Sequence, residues 1–277
     1  MWAICAANLE SFAHPDNAAN SGIATNAPPE SAFTRLVPAA QVEQMAKEQY
    51  YQLLNDAKAH RALAMGSHPL SIRVNSISQR LIPFATTWNS RAQSWKWEVN
   101  IIGSNTMNAF CLPGGKIAVY SGLIQQLKLS DDELAMVLGH EMTHALREHS
   151  REQIGRGTVT QGAARLGGVV AAGVFGIDPR LTDLIAREGS QLILLKFSRQ
   201  NETEADLIGM DIAARAGYDP RAALSLWQKM SQMNINNPPQ WLSTHPAAQT
   251  RIKELERNLT KEMPLFLEAK KNNPYPR

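Results

Sequence analysis

The chain has 277 residues, of which 44% are apolar, and a formal net charge of +3, enough for one large globular domain or two small ones. So weak a charge, with no Lys/Arg block and no basic stretch interleaved with aromatics, excludes nucleic acid as a partner. Two cysteines, Cys5 and Cys111, without C-x-x-C spacing, exclude a disulfide framework and a zinc ribbon.

Residues 1–38 are rich in Ala, Asn, Ser and Pro, carry no Lys or Arg before Arg35 and show no period; they read as a disordered leader. The apolar run at residues 2–7 is short of the roughly 7–15 residues of a secretory core and has no positive segment before it. No convincing signal peptide is therefore written here. Val42, Met45, Tyr50, Leu53 and Leu54 then recur at helical spacing between Pro38 and about Met65, as do Ile72, Val74, Ile77, Leu81 and Ile82 between Leu70 and about Phe84. The stretch from Trp95 to Gly103, and two short apolar runs around Pro113-Gly114-Gly115, predict a small three-stranded antiparallel sheet.

Ser130, followed by Asp131, Asp132 and Glu133, has the pattern of a capping box with acidic charge in the first turn. The helix it opens runs through His140, Glu141 and His144. Segment 162–177 is rich in Gly, Ala and Val but is shorter than the roughly 18–20 apolar residues of a bilayer span and contains Arg165; it reads as a flap or helical hairpin. Further helices are expected up to about Ser198, from about Glu202 to Ala216, from Asp219-Pro220 to about Met233, and from Ala247 to about Leu259, with residues 234–248 as a loop. No repeat of 20–50 residues is present.

Helix residues four apart differ by about 40° in direction and 6 Å in height. His140 and His144 thus project from one face and offer two imidazole nitrogens to one ion, at the bond lengths zinc takes. Glu141 is rotated by about 100°, which suits a base beside the open coordination position rather than a ligand. A third ligand has to come from elsewhere. The pattern with Gly three residues after the second His, and a third His three beyond, fails at Arg147 and Ser150, with His149 one residue out of place. The later segment "RQNETEAD" supplies Glu202 as ligand and Asp206, on the same face, to hydrogen-bond a ligand imidazole. Glu204, about 200° round from Glu202, faces elsewhere.

Together "HEMTH", "NETEAD" and "STHPAAQTRI" resemble the zinc metallopeptidase family that includes the CAAX prenyl endopeptidase and the heat-shock protease HtpX, with most similarity to its small soluble bacterial periplasmic quality-control members. The resemblance implies an α+β, mainly α-helical, zincin-like (gluzincin) fold with the small sheet beside the metal helix. It implies a leader at 1–38, one metallopeptidase domain at 39–262 and a tail at 263–277. It also implies one zinc per chain on His140, His144 and Glu202, Glu141 as general base, and Asp206 behind the ligands. His245 would stabilise the oxyanion, with Arg251 anchoring that region. In proteases of this design an edge strand pairs with extended substrate, and Asn108 is the candidate to hold its backbone. The implied activity is cleavage of unfolded or misassembled proteins in the periplasm or at the outer membrane, with peripheral membrane association and oligomeric state left open. A zinc-stabilised chaperone or assembly factor with little proteolysis is the competing reading.

Overall fold

A three-stranded sheet organises the molecule. The computed structural model describes residues 31–165, 192–233, 240–246 and 249–272. The strands are β1 (Glu98–Ile102), β2 (Ala109–Leu112) and β3 (Lys116–Tyr120), in the order β1-β3-β2. β2 and β3 form the expected antiparallel hairpin, closed where Gly114 and Gly115 take positive φ of 86° and 75°, a region that costs glycine nothing. The expectation of a wholly antiparallel sheet is corrected: β1 pairs with β3 in parallel, Glu98 opposite Lys116 and Ile102 opposite Tyr120. The six residues after β1 reverse the chain and leave a strand's width into which β3 inserts. Residue pattern specifies the hairpin but not the side on which it docks.

Successive residues of β3 point to opposite faces, as a period of two requires. Ile117 and Val119 join one buried cluster, whereas Ala118 joins another. On the second face lies α1 (Ala39–Ala59), whose Tyr50 hydroxyl donates to the Ile117 carbonyl at 2.7 Å. On the first lie α2 (Pro69–Ala85) and α4 (Asp131–Leu146), the latter reached through the short α3 (Ser121–Gln126). α4 starts as predicted: Ser130 caps the Glu133 amide and the Glu133 side chain accepts from the Ser130 amide. Every residue of α4 from Glu133 onward is buried, so it is a central helix covered on all sides.

After α4 come α5 (His149–Arg165), α6 (Arg199–Arg215), α7 (Ala222–Ser231), α8 (Gln240–Thr244) and α9 (Gln249–Lys271). α6 crosses α4 where Gly139 meets Gly209. A Cβ on Gly139 would stand 2.5 Å from the Gly209 carbonyl oxygen, and one on Gly209 would stand 2.6 Å from the His140 amide nitrogen. Only glycine at both positions permits this approach.

Several element boundaries differ from the sequence reading. The last residues assigned to the leader are ordered: Ala32–Leu36 forms a 3-10 turn with Thr34 buried, and Gly155 of α5 packs against the Phe33 carbonyl; residues 1–30 lie outside the described residues. Of the helix expected up to Ser198, residues 179–191 lie outside the described residues, Leu192–Leu194 forms a 3-10 turn, and 195–198 run without helix. Within the expected loop 234–248, Gln240–Thr244 is helical because Trp241 buries its ring. The last helix continues beyond Leu259 and through Pro264 to Lys271, drawn on by the buried Phe266. Of segment 162–177, residues 162–165 continue α5 and the rest lies outside the described residues. Among the described residues no helix is long and apolar enough to cross a membrane.

Candidate metal centre

α4, α6 and the turn after α8 bring four donors together: His140, His144, Glu202 and His245, whose ligand atoms all lie within 4.8 Å of one another. The two histidine Nε2 atoms are 3.1 Å apart. Glu202 oxygens stand 3.6 Å from His140 Nε2 and 3.7 Å from His144 Nε2. A tetrahedral zinc with bonds of 2.0–2.1 Å holds neighbouring ligand atoms about 3.3 Å apart, so these separations suit such an ion. Imidazole and carboxylate donors in a closed, buried set favour zinc over the hard, oxygen-loving cations. Glu202 Oε2 is a further sign. It is buried and accepts no hydrogen bond; Arg251 Nη1 stands 2.8 Å away, but off the hydrogen-bonding direction.

Asp206 takes the place expected of it. Its Oδ1 lies 3.0 Å from His140 Nδ1, the nitrogen that points away from the donor cluster. Arg251, from α9, grips Asp206 with two hydrogen bonds of 2.6 and 2.7 Å and reaches the Pro246 carbonyl at 3.1 Å. One guanidinium therefore ties the ligand Glu202, its neighbour Asp206 and the His245–Pro246 turn into a single assembly. Burial alone would raise both carboxyls. The Arg251 charge and the His140 hydrogen bond hold Asp206 below its ordinary value, and the hydrogen bond from His245 together with charge from His140 lowers Glu202.

His245 enters the donor set itself. Its Nδ1 is 3.0 Å from Glu202 Oε1 and 3.3 Å from His140 Nε2, and its Nε2 is 3.6 Å from Glu141 Oε1. Desolvation would lower its pKa, but the Glu141 and Glu202 carboxylates raise it on balance. His144 goes the other way. Burial, with the neighbouring imidazoles, holds it well below the ordinary imidazole range, in the neutral form that binds metal. Glu141 is 2% exposed and lies beside the donor cluster, not in it.

Asn108 is not brought to the cluster: it is buried just before β2, where its Oδ1 accepts from the Ala109 amide. β2 is an edge strand, as expected. Between it and residues 192–197 a shallow recess opens beside Glu141, His144 and His245, lined by Phe110, Leu192, Leu195, Phe197 and Thr244.

Three residues at the site were given no role by the sequence reading. Trp241 Nε1 donates to Glu141 Oε1 at 2.6 Å, and the Trp241 amide donates to the Met107 carbonyl; its spacing of four from His245 was the available signal. His149 Nδ1 lies 2.9 Å from His144 Nδ1, and Glu204 Oε2 lies 3.2 Å from His149 Nε2. No short pattern marks either, because they meet only after the chain reverses between α4 and α5.

Comparison with known proteins agrees with this geometry. The family model described as Peptidase family M48 matches residues 71–259. The mitochondrial metalloendopeptidase OMA1 of Schizosaccharomyces pombe is 33% identical over 216 residues, covering 77% of this chain and 60% of that protein. That of Saccharomyces cerevisiae is 33% identical over 213 residues, covering 72% and 59%. The Beta-barrel assembly-enhancing protease of Escherichia coli (strain K12) is 27% identical over 208 residues, covering 71% and 40%. The chain thus spans less than two thirds of the length of each of these relatives.

Proposed function

Since the chain belongs to peptidase family M48, we propose that it is a zinc-dependent endopeptidase that hydrolyses peptide bonds of unfolded or misassembled proteins. One zinc per chain would be held by His140, His144 and Glu202. The place of Glu141 carries this reading: a buried carboxylate, fixed by Trp241 at 2.6 Å, faces the cluster without ligating. A site that only braces a fold has no use for such an acid.

When bound, the ion lowers the pKa of a water and polarises the scissile carbonyl. Glu141 takes the proton of the attacking water and passes it to the leaving amine, so no covalent enzyme intermediate arises. Asp206, held by Arg251, accepts from His140 Nδ1–H and keeps Nε2 free as a donor. His245 donates a hydrogen bond to the carbonyl oxygen as negative charge develops there. Substrate lies extended along β2 by backbone pairing, next to the apolar recess. Action in the periplasm or at the outer membrane completes the proposal; its support is the motif resemblance and the similarity to the bacterial assembly-enhancing protease.

A second reading rests on His245. With its Nδ1 at the fourth corner the ion would have four protein ligands, the mark of a structural site, and the protein would be a zinc-stabilised chaperone or assembly factor. Zinc-loaded wild type and Glu141→Gln, assayed on casein, separate the two. The variant should retain stoichiometric zinc and lose cleavage by about 10²–10⁴-fold. Unchanged proteolysis removes Glu141 as base, and no cleavage by loaded wild type favours the second reading.

A further inference from the structure

His144 has a nitrogen that faces away from the donor cluster, and its partner there is another imidazole. His144 Nδ1 and His149 Nδ1 are 2.9 Å apart, so one must donate and the other accept. His149 Nε2 faces Glu204 Oε2 at 3.2 Å, and Glu204 Oε1 accepts from Arg147 Nε at 2.5 Å. His144 and His149 are each 2% exposed, and the Arg147 and Glu204 side chains only 9% and 12%.

A carboxylate only accepts, so His149 must carry its proton on Nε2. In the neutral ring Nδ1 is then a lone pair. That lone pair accepts only if His144 is protonated on Nδ1, which leaves His144 Nε2 bare and aimed at the cluster. The opposite order sets the lone pair of His149 Nε2 against the Glu204 carboxylate and places a proton where an ion would bind. We propose that His149 and Glu204 are positioning residues for metal binding, a proton-ordered relay that fixes His144 in its metal-ready tautomer before any ion arrives.

Backbone geometry explains how the relay is built. α4 ends at Leu146, Glu148 takes a left-handed φ of 55°, and α5 begins at His149, so that His149 folds back onto the last turn of α4. Glu204, two residues after Glu202, leaves α6 on nearly the opposite side, which is where the α4–α5 corner lies. Phe197 closes the outside, stacked on His144 at 4.0 Å between ring centroids and 6.0 Å from His149. The two ligand histidines are thus secured alike. His140 ends on Asp206 and Arg251, and His144, through one more ring, ends on Glu204 and Arg147.

This inference rests on the metal-binding reading, and two measurements on the full chain keep the two apart. Long-range 15N spectra of metal-free wild type should place the His144 proton on Nδ1. Zinc affinity, by competition with a chromophoric chelator, should fall by about 10–100-fold in His149→Phe and by about tenfold in Glu204→Gln, whose amide must turn a donor toward either His149 or Arg147. Circular dichroism melts identify folded variants; if His149→Phe does not fold, Glu204→Gln and the wild-type spectrum decide. A His144 proton on Nε2, or a folded Glu204→Gln with wild-type affinity, overturns the relay while leaving the metal site intact. Failure of wild type to take up zinc overturns both.

Discussion

Trp241 shows what one hydrogen bond does at the residue scale. Glu141 is buried and its carboxylate accepts from the indole at 2.6 Å; a bond to a charged acceptor contributes about 1.5–3 kcal/mol. Trp241→Phe keeps the ring plane and removes the donor. Its kcat should fall about tenfold, with KM and zinc content unchanged, because misaligning a base costs rate rather than binding. Wild-type kcat in that variant would show that Glu141 is held by its packing alone. Sequence spacing was sufficient for His140, His144, Glu202 and Asp206 because each pair lies one turn apart on one helix face. The same reasoning set Glu204 aside as facing elsewhere. It does face away from Glu202, but toward His149, whose position depends on a chain reversal at Glu148 that no periodicity encodes.

At the scale of elements, the donor set depends on how closely α4 and α6 approach, and Gly139 and Gly209 set that distance. Gly209→Ala introduces a Cβ 2.6 Å from the His140 amide nitrogen, so the helices must separate. Overpacking of this kind costs about 1–3 kcal/mol. The variant should melt several degrees lower by calorimetry and bind zinc more weakly, since His140 and Glu202 sit on the two helices being pushed apart. An unaltered melt and affinity would place the cluster's rigidity elsewhere. The capping boxes of α4 and α6 show the limits of pattern from the other side. That of α4 was legible because Ser130 and Glu133 follow a local rule. In α6, Ser198 pairs with Asn201, outside the Ser/Thr-x-x-Glu/Gln rule, and that helix was expected to begin later. The parallel pairing of β1 with β3 joins residues 18 apart and is decided by burial on both sheet faces, which no local stretch records.

For the molecule as a whole, the α+β class and the helical bias were readable, and the arrangement of α1, sheet and α4 in layers follows once each strand face is apolar. Among the described residues one buried acid works against stability in a pH-dependent way. Glu262 of α9 is 8% exposed, one of its carboxyl oxygens has no hydrogen bond, and burial together with the Asp211 charge pushes its pKa up to about 7, against the opposing effect of Arg215 and Lys261. The folded state therefore holds this proton more tightly than the unfolded chain. The resulting penalty is absent below about pH 4.5, grows as pH rises through the window to about 7, and is complete above it. Glu262→Gln should stabilise the protein by about 1–2 kcal/mol at pH 8, part of the full shift being screened by solvent, and by almost nothing at pH 4.5. Denaturant titrations at the two values test this; equal gains at both would assign the effect to packing.

Arg251 joins Glu202, Asp206 and the turn bearing His245, and it belongs to the last helix. A growing polypeptide therefore lacks the cation that neutralises the two acids until residue 251 has left the ribosome. Up to that moment the turn bearing His245 has no anchor, so the four donors come together only when the last helix docks.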